Sequence, residues 1–280
     1  MNATPTPLLQ VEAVGVRYRL RGATWSARTR AFDALHDVSI EVPEGGRLGI
    51  VGESGSGKST LARVVLGLVR AHAGRVLWRG VEVDYADRTR LRALRRELQV
   101  VFQDPFGSLD PRMTAGEAIG EALEALVTEP VSRDAAHRRI VDALDEVGLA
   151  PELAHRYPHE LSGGQCQRVA IARATIVRPR LLVCDEAVSA LDVSVQAQVV
   201  NLLRDLSDRH GMALLFISHN LAVVRHLCDD IAVLAQGRLV ERGGIEQIFG
   251  HPREAYTRSL LAAARLGTGI RSREQVSPVP

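Results

Sequence analysis

Residues 49–69, GIVGESGSGKSTLARVVLGLV, constrain the fold more than any other stretch of this chain. Four glycines fall within nine residues, Lys58 follows the last of them, and an apolar helical pattern begins at once. Leu61, Val64, Val65 and Leu68 recur at helical spacing. The preceding stretch, LHDVSIEVPEGGRLGIVG (35–52), reads as strand, Pro-Gly turn, strand. A strand that passes through a glycine turn straight into a helix is one half of a βα unit.

The segment GESGSGKS (52–59) fits G-x-x-x-x-G-K-[ST]. Glycines let the backbone turn its N–H groups around an anion with no side chain in the way, and the helix N-terminus adds a positive dipole. Lys58 is expected to reach the outer phosphates and the Ser59 hydroxyl to ligate Mg²⁺. Gly52, Glu53, Ser54, Gly55, Ser56, Gly57, Lys58, Ser59 and Thr60 form the expected cradle of a nucleoside triphosphate.

The rest of the chain agrees with a sheet wrapped by helices. Strand patterns run over 8–20, 74–83, 98–103, 181–185, 212–218 and 231–237. A basic helix is expected at 88–97, with a solvated face, and a mostly helical stretch at 114–156. Residues 21–34, polar and basic, read as a loop or hairpin tip, and the residues after 237 read as a tail. Strands alternating with helices imply α/β architecture with a parallel sheet, the central helical stretch being an inserted lobe.

Composition narrows the setting. Hydrophobic residues are 46% and charged residues 24% of 280, ordinary for a globular protein. A net charge of +2 argues against a dedicated nucleic-acid binder. No apolar run approaches the roughly 18 residues of a membrane span, and the start, MNATPTPLLQ, lacks the pattern of a secretion signal. Cys166, Cys184 and Cys228 are too scattered for a disulfide framework or a metal site. A reduced, cytosolic protein is expected.

In LLVCDE (181–186) four apolar residues run into two carboxylates. Such a strand delivers Asp185 to a metal's coordination sphere and sets Glu186 one residue on, where it can polarise a water. His219 ends the apolar strand MALLFIS, at the sheet edge where ligands of open α/β sheets bind. LSGGQCQR (161–168) offers a hydroxyl, bare backbone N–H groups and a helix N-terminus, a second anion site. Two phosphate-facing surfaces about a hundred residues apart suggest a different nucleotide for each, shared with a second subunit.

With these motifs in order, the sequence resembles the nucleotide-binding subunits of ABC transporters over roughly residues 8–262. The matching positions are Tyr18, the loop 52–59, Gln103 in VVFQDP, the signature 161–165, Asp185 and Glu186, Ser189-Ala190-Leu191-Asp192, and His219. The resemblance implies a P-loop NTPase of the ABC ATPase type: a RecA-like core, an N-terminal antiparallel β subdomain and an inserted helical lobe at about 104–165, within a domain spanning 1–265, followed by a disordered tail at 266–280. It implies ATP and Mg²⁺, with Tyr18 stacking on adenine. Ser59, Gln103 and Asp185 would lie at the metal, and Glu186, His219 and Gln103 in catalytic roles. Ser162, Gly163, Gly164, Gln165 and Asp192 would face the ATP of a partner.

VVFQDPFGSLDPRMTAGEAI (100–119), DEAVSALD (185–192) and HPREAYTRSLLAA (251–263) look like the dipeptide, oligopeptide and nickel importer group, this chain resembling the second ATPase of a pair. Ala187 stands where many members have proline, and HPREAYT lacks a second His-Pro before its tyrosine. No cysteine follows Cys228, so no iron–sulfur cluster is expected. The implied partners are two membrane-spanning permease subunits and a second homologous ATPase subunit, in a heterodimer or, in isolation, a homodimer. A solute-binding protein would act indirectly and no nucleic acid would take part, all at the cytoplasmic face of the inner or plasma membrane. The alternatives are the ATPase of an exporter and a soluble ABC ATPase without a transport role.

Overall fold

The computed structural model describes residues 6–20, 30–127 and 131–267. Two sheets organise the chain. The first is antiparallel, in the order β2-β1-β4-β5, from β1 (Leu9–Leu20), β2 (Arg30–Val42), β4 (Ala73–Trp78) and β5 (Val81–Glu82). The second has the order β10-β9-β3-β8-β7-β6, from β3 (Arg47–Val51), β6 (Leu98–Val101), β7 (Leu181–Asp185), β8 (Ala213–Ile217), β9 (Asp230–Ala235) and β10 (Arg238–Gly244). Five of its strands run parallel, and β10 pairs antiparallel to β9.

Alternation along the buried strands sorts side chains into two layers. Leu48, Ile50, Leu181, Val183, Leu215 and Ile217 join a core with β1, β2 and helix α1 (Lys58–Val65). Leu182, Cys184, Leu214 and Phe216 join the opposite core. There they meet α5 (Gly163–Thr175), α6 (Val193–His210) and α7 (Leu221–Leu227). Both faces of the parallel strands are covered, which is why they read as unbroken apolar runs.

Between β6 and α5 lie α3 (Ala115–Leu126), α4 (Arg133–Glu146) and two short 3-10 turns at Pro151–His155 and Pro158–Glu160. α3 opens with a reciprocal cap between Thr114 and Glu117. Two arginines tie this segment to the core: Arg173 of α5 donates to the Ser108 carbonyl at 2.6 Å, and Arg178 meets Glu146 at 2.6 Å. The basic helix α2 (Arg88–Glu97) buries no residue and is capped by Asp87, so its arginines do face solvent.

The structure corrects three expectations. Residues 30–34 belong to β2, not to a loop: Arg30 pairs with Leu20 and Asp33 with Arg17, whose side chains form an ion pair. The rest of that loop, 21–29, lies outside the described residues. The stretch 74–83 is two strands, turning at Arg79 and Gly80, both with positive φ, the backbone a tight hairpin needs. Residues after 237 are not a tail. They form β10, then α8 (Ile245–Gly250) and α9 (Ala255–Gly267), which runs past the boundary drawn at 265. The expected disordered segment from 268 lies outside the described residues.

Candidate nucleotide site

Four neighbouring strands of the second sheet, β3-β8-β7-β6, are in parallel register, and their C-terminal ends set the site. Ile50 pairs with Ile217, Ile217 with Asp185, and Val101 with Cys184. Gly52 therefore lies two residues past a matched row on β3, and His219 two past it on β8. Asp185 lies in that row on β7, and Gln103 stands level with Glu186 beyond β6. Residues scattered over more than half of the sequence become one row.

The loop 52–59 leaves β3 with Gly52, Gly55 and Gly57 at φ of 152°, 79° and 104°. A side chain at Gly52 would run into the Leu234 carbonyl at 2.1 Å, so the loop can be drawn this tightly only with glycine there. Lys58 opens α1 and is 5% exposed; its ammonium donates to the carbonyls of Gly52 at 2.8 Å and Glu53 at 2.7 Å. Burial holds Lys58 below the usual lysine range, while the charges of Glu186, Asp185 and Glu53 pull it back. The Ser56 hydroxyl is buried with no hydrogen-bond partner, the mark of a cradle built for an acceptor-rich ligand. Glu53, Ser54 and Gly55 are exposed, and Thr60 half-buried.

Ser59 Oγ donates to Asp185 Oδ1 at 3.0 Å. Burial pushes the Asp185 carboxyl up, with Ser59's hydrogen bond opposing and Glu186's charge adding. Glu186 has φ of 52°, a left-handed conformation rare for a residue with a side chain. Its N–H donates to the Ile217 carbonyl at 3.0 Å, and its own carbonyl accepts from the N–H and hydroxyl of Ser189. So fixed, its carboxylate stands 3.5 Å from Nδ1 of His219, which is exposed. Hydroxyl and carboxylate oxygens beside an ammonium are a donor set suited to a polyphosphate and a hard divalent cation.

Gln103, level with Glu186, is exposed. The other expected residues sit apart from this row. Tyr18 is half-buried on β1, cross-strand from Phe32. Ser162 caps α5 in a reciprocal box with Gln165, accepting from its N–H at 3.3 Å and donating its own N–H to Gln165 Oε1 at 2.9 Å. Gly164 lies against α6: a Cβ there would approach Val195 Cγ1 to 2.7 Å. Asp192 caps α6, accepting from Val195 N and Ser194 Oγ, which hold it below the usual carboxylate range. No hydrogen bond or ion pair among the described residues joins 162–165 to 52–60. One contact escaped sequence reasoning: Tyr256 of α9 accepts a hydrogen bond from the Glu53 N–H at 3.2 Å.

Comparison with known proteins identifies the family. The family described as ABC transporter matches residues 35–189. The oligopeptide transport ATP-binding protein OppF of Escherichia coli (strain K12) is 46% identical over 258 residues, covering 91% of this chain and 77% of that protein. The glutathione import ATP-binding protein GsiA of Salmonella choleraesuis (strain SC-B67) is 45% identical, covering 95% of this chain and 42% of that protein. Among solved structures, the ATP-binding cassette MJ0796, a dimer in a post-hydrolysis state bound to ADP and Pi, superposes with a TM-score of 0.75 at 28% identity. The match covers 85% of this chain and 98% of that one. Matched by the ABC transporter family over residues 35–189 and sharing 46% identity with OppF over 91% of its length, the chain belongs to the ATP-binding proteins of the ABC transporter family.

Proposed function

We propose that this chain is the ATP-hydrolysing subunit of an importer for peptides or a related small solute. The observation that carries the reading is the strand register that brings Asp185, Glu186 and His219 to one end of the sheet, with Ser59 of α1 bonded to Asp185. Members of this family bind ATP with Mg²⁺. In our reading Gly52–Thr60 cradles the phosphates, Tyr18 stacks on adenine, and Ser59, Asp185 and Gln103 would hold the cation. When bound, Mg²⁺ would offset charge on the phosphate oxygens. Glu186 accepts the proton of the attacking water, and His219 keeps its carboxylate oriented. Gln103 links the site to the helical lobe at 104–165.

The separation of 162–165 from 52–60 supports a shared site. The signature of one chain, with Asp192, closes on ATP held by a second ATPase subunit. No helix among the described residues is long and apolar enough to cross a membrane. The reading therefore assigns the membrane passage to two permease subunits, gripped by the lobe at the cytoplasmic face, with a solute-binding protein delivering cargo. The peptide class follows the names of the relatives. Mild-detergent capture of the tagged chain from its native membranes, followed by mass spectrometry, tests this. Two polytopic chains and a second ATPase are expected. Ribosomal or DNA-repair proteins, or no partner, would remove the transport role.

A further inference from the structure

We infer that Tyr256 is a positioning residue for the nucleotide loop, through which the C-terminal helix α9 steadies the loop's first turn. The inference rests on reading 52–59 as the ATP site. Glu53 is the pivot. Its carbonyl accepts from Lys58 Nζ at 2.7 Å and from the Ser56 N–H at 3.2 Å. Its N–H donates to the Tyr256 hydroxyl at 3.2 Å, across 203 residues of sequence. The turn at Glu53 is thus gripped on both sides. The grips differ in kind: the Lys58 ammonium is the group the phosphates compete for, whereas the Tyr256 hydroxyl takes no part in that competition. It is the bond that keeps the turn in place when Lys58 re-aims.

A steadying residue must itself be steadied, and α9 is. Glu241 of β10 is 7% exposed, and its carboxylate accepts from the Arg253 N–H at 2.8 Å and the Glu254 N–H at 3.2 Å, just ahead of the helix. A buried anion at the N-terminal end of a helix meets both the unpaired N–H groups and the dipole. Burial pushes the Glu241 carboxyl up, but the hydrogen bonds from the Arg253 and Glu254 N–H groups help hold it below the usual carboxylate range. Leu261 is buried, and the Tyr256 ring packs against the same core as α5–α7. β10 in turn pairs with β9, the neighbour of the strand that feeds the loop. The C-terminal segment is therefore built to return one hydroxyl to the start of the phosphate cradle.

The test compares Tyr256→Phe with the unsubstituted full chain, reading equilibrium ATP affinity, KM for ATP, kcat and melting temperature. Phenylalanine keeps the ring packing and removes only the hydroxyl. Loss of one hydrogen bond on this scale corresponds to a weakening of ATP affinity by about 2- to 10-fold. The expected result is that rise in Kd and KM with kcat within about 2-fold. Unchanged Kd and KM, with or without a lower melting temperature, would overturn the inference and leave Tyr256 as packing alone. Lys58→Ala, measured in parallel, separates the two readings. If it loses ATP binding while Tyr256→Phe does not, only the Tyr256 assignment falls. If it binds ATP normally, the loop itself has been misread and both fall.

Discussion

The hydroxyl of Ser59 donates to the carboxylate of Asp185 across 3.0 Å, joining residues 126 apart. A helix start and a strand end, read separately as a phosphate loop and a metal carboxylate, touch directly. The contact also reveals a cost. Asp185 sits above the usual carboxylate range because it is buried. A carboxyl whose folded value is raised stabilises the fold at low pH and loses that contribution as pH rises through the raised value. At neutral pH its charge is a burden that function retains.

Asp185→Asn should therefore raise the melting temperature measured without nucleotide, since the amide can still accept from Ser59 and carries no buried charge. The same variant should lose Mg²⁺-dependent hydrolysis by at least about 100-fold. Thermal melting and steady-state turnover check both halves. A less stable variant with normal turnover would contradict the assignment.

Glu186→Gln should bind ATP and turn it over at least about 100-fold more slowly, the loss expected when a general base is neutralised. Its backbone, held by Ile217 and Ser189, has no reason to move. Near-normal single-turnover rates would sink the role given to Glu186.

Lys58 supplies a pH signature. Burial lowers its affinity for the proton, although Glu186, Asp185 and Glu53 resist. It should lose its charge below the roughly 10.4 of an exposed lysine, so ATP affinity should begin to fall as pH rises through the range below that value. Titrating Kd over that range is the check. An onset only above about 10.4 would count against the buried-lysine account.

Gly164→Ala should push α5 from α6, because the new methyl meets Val195, whose branched side chain has little freedom to yield. Overpacking of this kind costs about 1–3 kcal/mol. Turnover should drop by about 10-fold or more while ATP affinity of the single chain stays unchanged, and Val195→Ala should restore part of the loss. If Gly164→Ala weakens ATP binding to one chain, the signature and the loop are not the separate surfaces described above.

Local signals explain what was legible. The loop 52–59 and the run LLVCDE announce themselves in a few consecutive residues, and a parallel strand buried on both faces is an apolar run wherever it occurs. The mistakes fall where long-range pairing decides. Arg30–Asp33 look like loop because they follow a polar, basic, glycine-containing stretch, yet pairing with β1 makes them strand. β10 and α9 look like a tail because nothing local says that Glu241 will cap a helix beginning more than ten residues on. Tyr256 carried no signal beyond its place in HPREAYT, since its partner is a backbone N–H that no sequence displays.

The matched register of β3, β8, β7 and β6 has a last consequence. A strand that slips by one residue moves its terminal residue by about 3.3 Å and turns its side chains to the opposite face. Gly52, His219, Asp185 and Gln103 each ride on one strand, so any slip that would spoil the chemistry also drives apolar side chains into the wrong core layer. Strand pairing thus proofreads the row: a chain with its hydrophobic layers correctly sorted has already aligned these strand ends.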